Sequence, residues 1–210
     1  MTTTAISPAS SSLLAELSQS DTSCEMMIGI GLVKDSEAVY FEYTGSDGDS
    51  VALTLPSGKP LTRIAGVTVT GISIAEGIGE FESTKLNVFL TTVQGRTMLL
   101  TSGLTTWWSR CVLTGLMGLL ASGMAEEPIQ LDTWKGNQGK YKPCFAAIRC
   151  KGQKITHQEM YDALKEAKAD GDNVKLESIC RDAALVLEGV LKIDEPTMVQ
   201  VNEIINEGDF

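Results

Sequence analysis

At 210 residues and a formal net charge of -10, the chain has room for one well-buried domain with extensions, or at most two small ones. Five cysteines (24, 111, 144, 150 and 180) with no C-x-x-C pair, beside a single histidine, His157, argue against a disulfide framework or a structural zinc site, and no cofactor is expected. The start, MTTTAISPASSSLL, lacks the basic region and apolar core of a signal peptide, and the longest apolar run, 111–125, is short of the ~20 residues needed to span a bilayer. A cytoplasmic, reducing location with no membrane partner is therefore expected.

Residues 1–12 are rich in Ser, Thr and Ala, a composition that buries too little apolar surface to order itself, so an N-terminal arm is expected there. Strand-like segments follow near 26–33 and 38–43, and GSDGD at 45–49 turns into 51–55. From residue 61 the pattern sharpens. Val67 and Val69 alternate with threonines, Gly71 interrupts, and Ile72 and Ile74 resume, which predicts a long strand bent at a glycine bulge. After a loop at 76–84, Leu86, Val88 and Leu90 alternate with Lys85, Asn87 and Phe89. A turn at Gln94-Gly95 leads to a third strand over 96–101. A helix is predicted over 105–122, with Thr105 or Thr106 as N-cap and Gly123 near its end. Strands over 129–133 and 144–151 come next. Thr156 and Glu159 are spaced as a capping box, opening a helix that stops at 170–172, and a last helix carries an apolar stripe from Leu176 to Leu191.

Three strands, a helix and two more strands, in that order, are the order of an OB-fold. The fold class expected is therefore mainly β: a five-stranded OB-fold barrel with a helix between strands 3 and 4, plus a C-terminal helical extension. The corresponding divisions are an arm with short strands at 1–54, the barrel at 55–155, the helical extension at 156–194 and an acidic tail at 195–210.

Charge is distributed unevenly over those divisions. Residues 1–54 hold one base against eight acids, residues 55–155 eleven bases against six acids, and residues 156–210 five bases against thirteen. The basic middle culminates in WKGNQGKYKPCFAAIRCK, 134–151, where cations and aromatics interleave. Phosphates need positive charge and unpaired bases need flat π-faces, so this mixture suits a single-stranded nucleic acid. Strand alternation puts Phe145, Arg149 and Lys151 on one face of 144–151, and Lys85 and Phe89 repeat the arrangement on the second strand. The candidate DNA-binding residues are Lys85, Phe89, Trp134, Lys135, Lys140, Tyr141, Lys142, Phe145, Arg149 and Lys151. Of the neighbours Trp107 and Trp108, about 100° apart on a helix, one is expected in the core.

No pair of residues has the spacing of a catalytic constellation. His157 lacks a Ser/Asp or Cys companion, SGKP at 57–60 is not a phosphate loop, and neither GIG completes a dinucleotide fingerprint. Glu76, Glu80 and Glu82 could together hold a divalent cation, but no second cluster matches them. A non-enzymatic binding protein is expected, with a protein- or RNA-binding module as the alternative.

On the strand region 62–151, the helix TTWWSRCVLTGLMGLL, the hairpin PIQLDTWKGNQGKYKPCFAAIRCK and the terminal NEGDF, the chain resembles the single-stranded DNA-binding proteins of phages and mobile elements. The resemblance covers about half the chain and implies strand protection in replication, recombination or repair. It also implies that Glu207, Asp209 and Phe210 recruit replication or recombination proteins through the acidic tail. A homo-oligomer is left open.

Overall fold

A computed structural model describes residues 26–31, 36–43, 50–78, 83–137 and 142–191. The N-terminal arm, the tail residues Glu207, Asp209 and Phe210, and the loop residues Lys140 and Tyr141 lie outside the described residues. The strands are β1 (Met26–Ile30), β2 (Tyr40–Tyr43), β3 (Ser50–Ala52), β4 (Arg63–Ile78), β5 (Ser83–Thr92), β6 (Thr97–Gly103), β7 (Ile129–Lys135), β8 (Cys144–Cys150) and β9 (Gln153–Ile155). The helices are α1 (Trp107–Ala121), α2 (Gln158–Ala169) and α3 (Asn173–Val190).

These strands form one mixed sheet in the order β3-β2-β1-β6-β5-β4-β7-β8-β9. The expected five-stranded OB barrel is not made, although a mainly β fold is. Closing such a barrel needs the outer edges of the third and fifth strands to meet, and each has another neighbour instead, the fifth over Ile148–Cys150. β6 pairs in parallel with β1, Met26 opposite Met98 and Gly29 opposite Thr101, while β8 pairs with β9. The residues that overturn the barrel are MMIGI: Met26, Ile28 and Ile30 alternate into the core and carry β2 and β3 with them onto the sheet.

β4 is long because it serves two neighbours. Its first residues pair with β7 and the remainder with β5, and register shifts between Ala65 and Val67 and between Val69 and Gly71 bend it at the join. Gly66 takes a φ of +68° at the first of these, a conformation that suits glycine. The bends roll the sheet until β2 meets β7, with four strands between them in its order. Tyr40 Oη and Thr133 Oγ1 share a hydrogen bond of 2.6 Å there, and Trp108 Nε1 donates to the same Thr133 oxygen at 3.2 Å. Burial pushes the Tyr40 phenol far above its ordinary range, so it stays a neutral hydrogen-bonding group.

Inside the roll, Leu86, Val88 and Leu90 of β5 and Met98 and Leu100 of β6 meet Trp108, Val112, Leu113, Leu116 and Leu119 of α1. Thr106 caps α1 by accepting from Ser109 N. Gly115 and Gly118 let this helix approach β8 and β9 closely. A Cβ on Gly115 would lie 3.0 Å from Ile148, and one on Gly118 would lie 2.8 Å from Ile155 and 2.9 Å from the Thr156 carbonyl carbon. Two helical glycines cost about 1 kcal/mol each relative to alanine, and the tight helix–sheet contact offsets that loss.

The cap of α2 is His157 rather than Thr156, its Nδ1 accepting from Met160 N. α3 buries Leu176, Cys180, Ala183, Ala184 and Leu187 against α1, α2 and β4, the face its stripe predicts. Among the described residues no helix is long and apolar enough to cross a membrane.

Candidate nucleic-acid interface

β7 and β8 pair in register from Ile129 opposite Cys150 to Lys135 opposite Cys144. Alternation sends Ile129, Leu131 and Thr133, with Ala146, Ile148 and Cys150, to the core. The opposite face carries Gln130, Asp132 and Trp134 beside Arg149, Ala147 and Phe145. Trp134 is 45% exposed and lies over Phe145, with ring centroids 6.1 Å apart and planes 21° from parallel. Phe145 also contacts Trp107, at 5.5 Å and 43°, and Trp107 is 39% exposed. Three aromatics therefore stand in a row across the hairpin and the start of α1. Gly136 makes room for the middle ring, since a Cβ there would come within 2.7 Å of it.

Cations flank the row. The Arg110 guanidinium lies 4.0 Å over the Trp107 ring and is fixed by donating Nε to the Thr105 carbonyl at 2.9 Å. Arg63 of β4 and Arg149 of β8 both donate Nε to Asp132, at 2.6 and 3.1 Å, while Gln130 donates to both of its oxygens at 3.0 Å. Lys142 pairs with Glu37 at 2.8 Å and Lys135 donates to the Ser36 carbonyl, whereas Lys151 lies in the turn after β8 at the far end of the hairpin, not on the strand face expected of it, and pairs with Glu127 at 2.9 Å. The exposed pairs Lys142–Glu37 and Lys151–Glu127 are worth about 0–1 kcal/mol, so a phosphate can replace the internal acid there at little cost.

Burial opposes ionisation of Asp132, but hydrogen bonds from Arg63, Gln130 and Arg149 outweigh it and hold the carboxyl below its ordinary 3.8. A depressed folded value contributes stability that is complete above the unfolded value and lost as the pH falls through the folded one. Asp132→Asn should therefore flatten the acid limb of a plot of Tm against pH, below about pH 4. An acid limb identical to wild type would mean that the fork adds nothing.

Two of the sequence-selected residues are not brought to this face. Phe89 is 1% exposed, and with Leu99 opposite it and Phe41 it belongs to a buried apolar layer on the side of the sheet away from α1. It has no surface on which a base could stack, which corrects its expected role. Lys85 faces Ala75 near the far end of β4, ten residues from the Ala65 that pairs with Gln130. At about 3.3 Å per residue that is roughly 30 Å along the strand. Conversely, Arg63 and Arg110 join the interface without a local sequence signal, since only the β4–β7 register and the packing of Trp107 bring them there. Glu76, offered as a cation ligand, is instead engaged by Arg181 and accepts from Thr84 Oγ1 at 2.8 Å. Compared with protein-family models, curated proteins and solved structures, the chain matches none.

Proposed function

We propose that this protein binds single-stranded DNA with little sequence preference along the Trp134–Phe145–Trp107 row, in the manner of the strand-protecting proteins of phages and mobile elements. The observation that carries the reading is the row itself: two tryptophans left substantially exposed, oriented by a phenylalanine between them and bordered by Arg63, Arg110, Lys142 and Arg149. Every base presents a π-face, so stacking on such a row is sequence-tolerant, and the cations meet the backbone that runs beside it. The net charge of -10 is not an obstacle, because the acids are concentrated outside residues 55–155. Protection of exposed strands in replication, recombination or repair follows from that chemistry, with no catalytic step.

The test is binding of a labelled single-stranded oligonucleotide, competed by duplex DNA and by RNA, over a range of salt. With about five phosphate contacts at roughly -0.7 each, log K should fall against log[salt] with a slope near -3 to -4. Duplex DNA, whose bases are already stacked, should compete poorly. A slope near zero, or duplex competing as well as single strands, would overturn the reading.

A further inference from the structure

β9 accompanies β8 only from Ile148 to Cys150. Beyond Ile148, among the described residues, no strand lies beside that edge. α1 packs on β8 and α2 on α1, and between them lies a cavity of about 550 Å³ also lined by Ala146, Ala147 and Ile148. That size falls within the roughly 300–1,000 Å³ typical of small-molecule sites. Trp107, which belongs to the aromatic row, also lines this cavity, and Tyr161 of α2, 50% exposed, lines it too.

The charge of the lining is of one sign. Among the described residues, Arg110, Lys154, Lys165 and Lys168 face the cavity and no carboxylate does. Tyr161, Lys165 and Lys168 are spaced i, i+4 and i+7, a single stripe of α2, whereas the acids of that helix, Glu159, Asp162 and Glu166, are not part of the lining. Such segregation runs against the composition of residues 156–210, which hold thirteen acids and five bases. Among the described residues Lys154, Lys165 and Lys168 make no ion pair. Four cations without an acid are repelled by one another, and an anion relieves that repulsion.

We propose that this cavity holds one nucleotide, its base against Trp107 and Tyr161 and its phosphate among Arg110, Lys154, Lys165 and Lys168. The proposal deepens the strand-binding reading and rests on it only through the shared Trp107. The nucleotide could be a free nucleoside phosphate or the 5′-phosphorylated end of a strand lying on the row. Both present the same base and phosphate. Each helix supplies both parts of that pairing, Trp107 with Arg110 from α1 and Tyr161 with Lys165 and Lys168 from α2, whereas a simple anion would leave Trp107 and Tyr161 unused.

The experiment uses the full chain carrying Trp134→Phe, so that Trp107 is the exposed fluorophore and Trp108 is buried. Thymidine 5′-monophosphate should quench it saturably, at least tenfold more tightly than thymidine or inorganic phosphate. The exposed-site variant Lys165→Glu/Lys168→Glu should lose that binding at least tenfold while keeping the wild-type Tm. A 5′-phosphate should tighten oligonucleotide binding severalfold in wild type and not in this variant if the source is a strand end. Equal affinity with and without it, beside tight monophosphate binding, assigns the site to free nucleotides. Either result supports the proposal. It is overturned if inorganic phosphate binds as well as the monophosphate, if an aspartate-rich peptide occupies the cavity in its place, or if neither monophosphate nor 5′-phosphate has any effect. Failure of the strand reading is separate: oligonucleotides would then show no salt-dependent binding while the monophosphate still binds.

Discussion

Replacing Trp108 by alanine is expected to destabilise the protein by about 3–5 kcal/mol, the largest effect of any single substitution considered for this chain. Its side chain is 1% exposed and surrounded by the core of the rolled sheet, so truncation leaves a cavity that a close-packed interior cannot fully close. The indole also donates to Thr133 Oγ1, the hydroxyl that Tyr40 reaches from β2. Removing it loosens the point where the two halves of the sheet meet. Since small domains are stable by about 5–15 kcal/mol, the loss is a large fraction of the whole. Urea denaturation checks it. The neighbouring Trp107→Ala, at a half-exposed position, should shift the midpoint far less. Similar midpoints for the two variants would contradict the assignment of Trp108 to the core.

Trp134→Ala should do the reverse: leave the urea midpoint close to wild type and weaken single-stranded DNA binding by about 1–3 kcal/mol, roughly five- to 150-fold. The residue lies at the outer end of the aromatic row with 45% of its surface open, and its removal frees one face of Phe145 without opening the core. Binding should quench its fluorescence. Phe89→Ala supplies the contrast, because a residue 1% exposed affects binding only through loss of folded protein. A folded Trp134→Ala variant with unchanged affinity would remove the row as the binding surface.

Much of the local structure was legible because it depends on near neighbours. Leu86, Val88 and Leu90 face the core as their alternation requires, the long strand is irregular at Gly71, and Thr106 caps α1. The order of strands in space was not legible to the same degree. β1 joins β6 through residues far apart in the chain, and nothing within MMIGI distinguishes a strand that completes a sheet from one that adds to its margin. The same limit separated Phe89 from Phe145. Alternation sets both apart from the core-facing residues of their own strands, but Phe89 is buried there and Phe145 only half-buried. At the candidate site, the hairpin cations and Trp134 could be read from composition and period, whereas Arg63, Arg110 and the pair Lys165 and Lys168 arrive from three other places in the fold. The last two lie in an acidic helix whose overall charge hides a one-signed stripe.

The parallel pairing of β1 with β6 also bears on how the chain reaches this structure. Its partners are about seventy residues apart, so the closure entropy of a long loop must be met before any of their hydrogen bonds form. Pairings of that range slow folding, and during synthesis the apolar Met26–Ile30 segment leaves the ribosome well before residues 97–103 exist to receive it. For that interval it is an unsatisfied strand. A strand made early thus waits for a partner not yet translated, and during that wait the nascent chain carries an open edge on which aggregation can start.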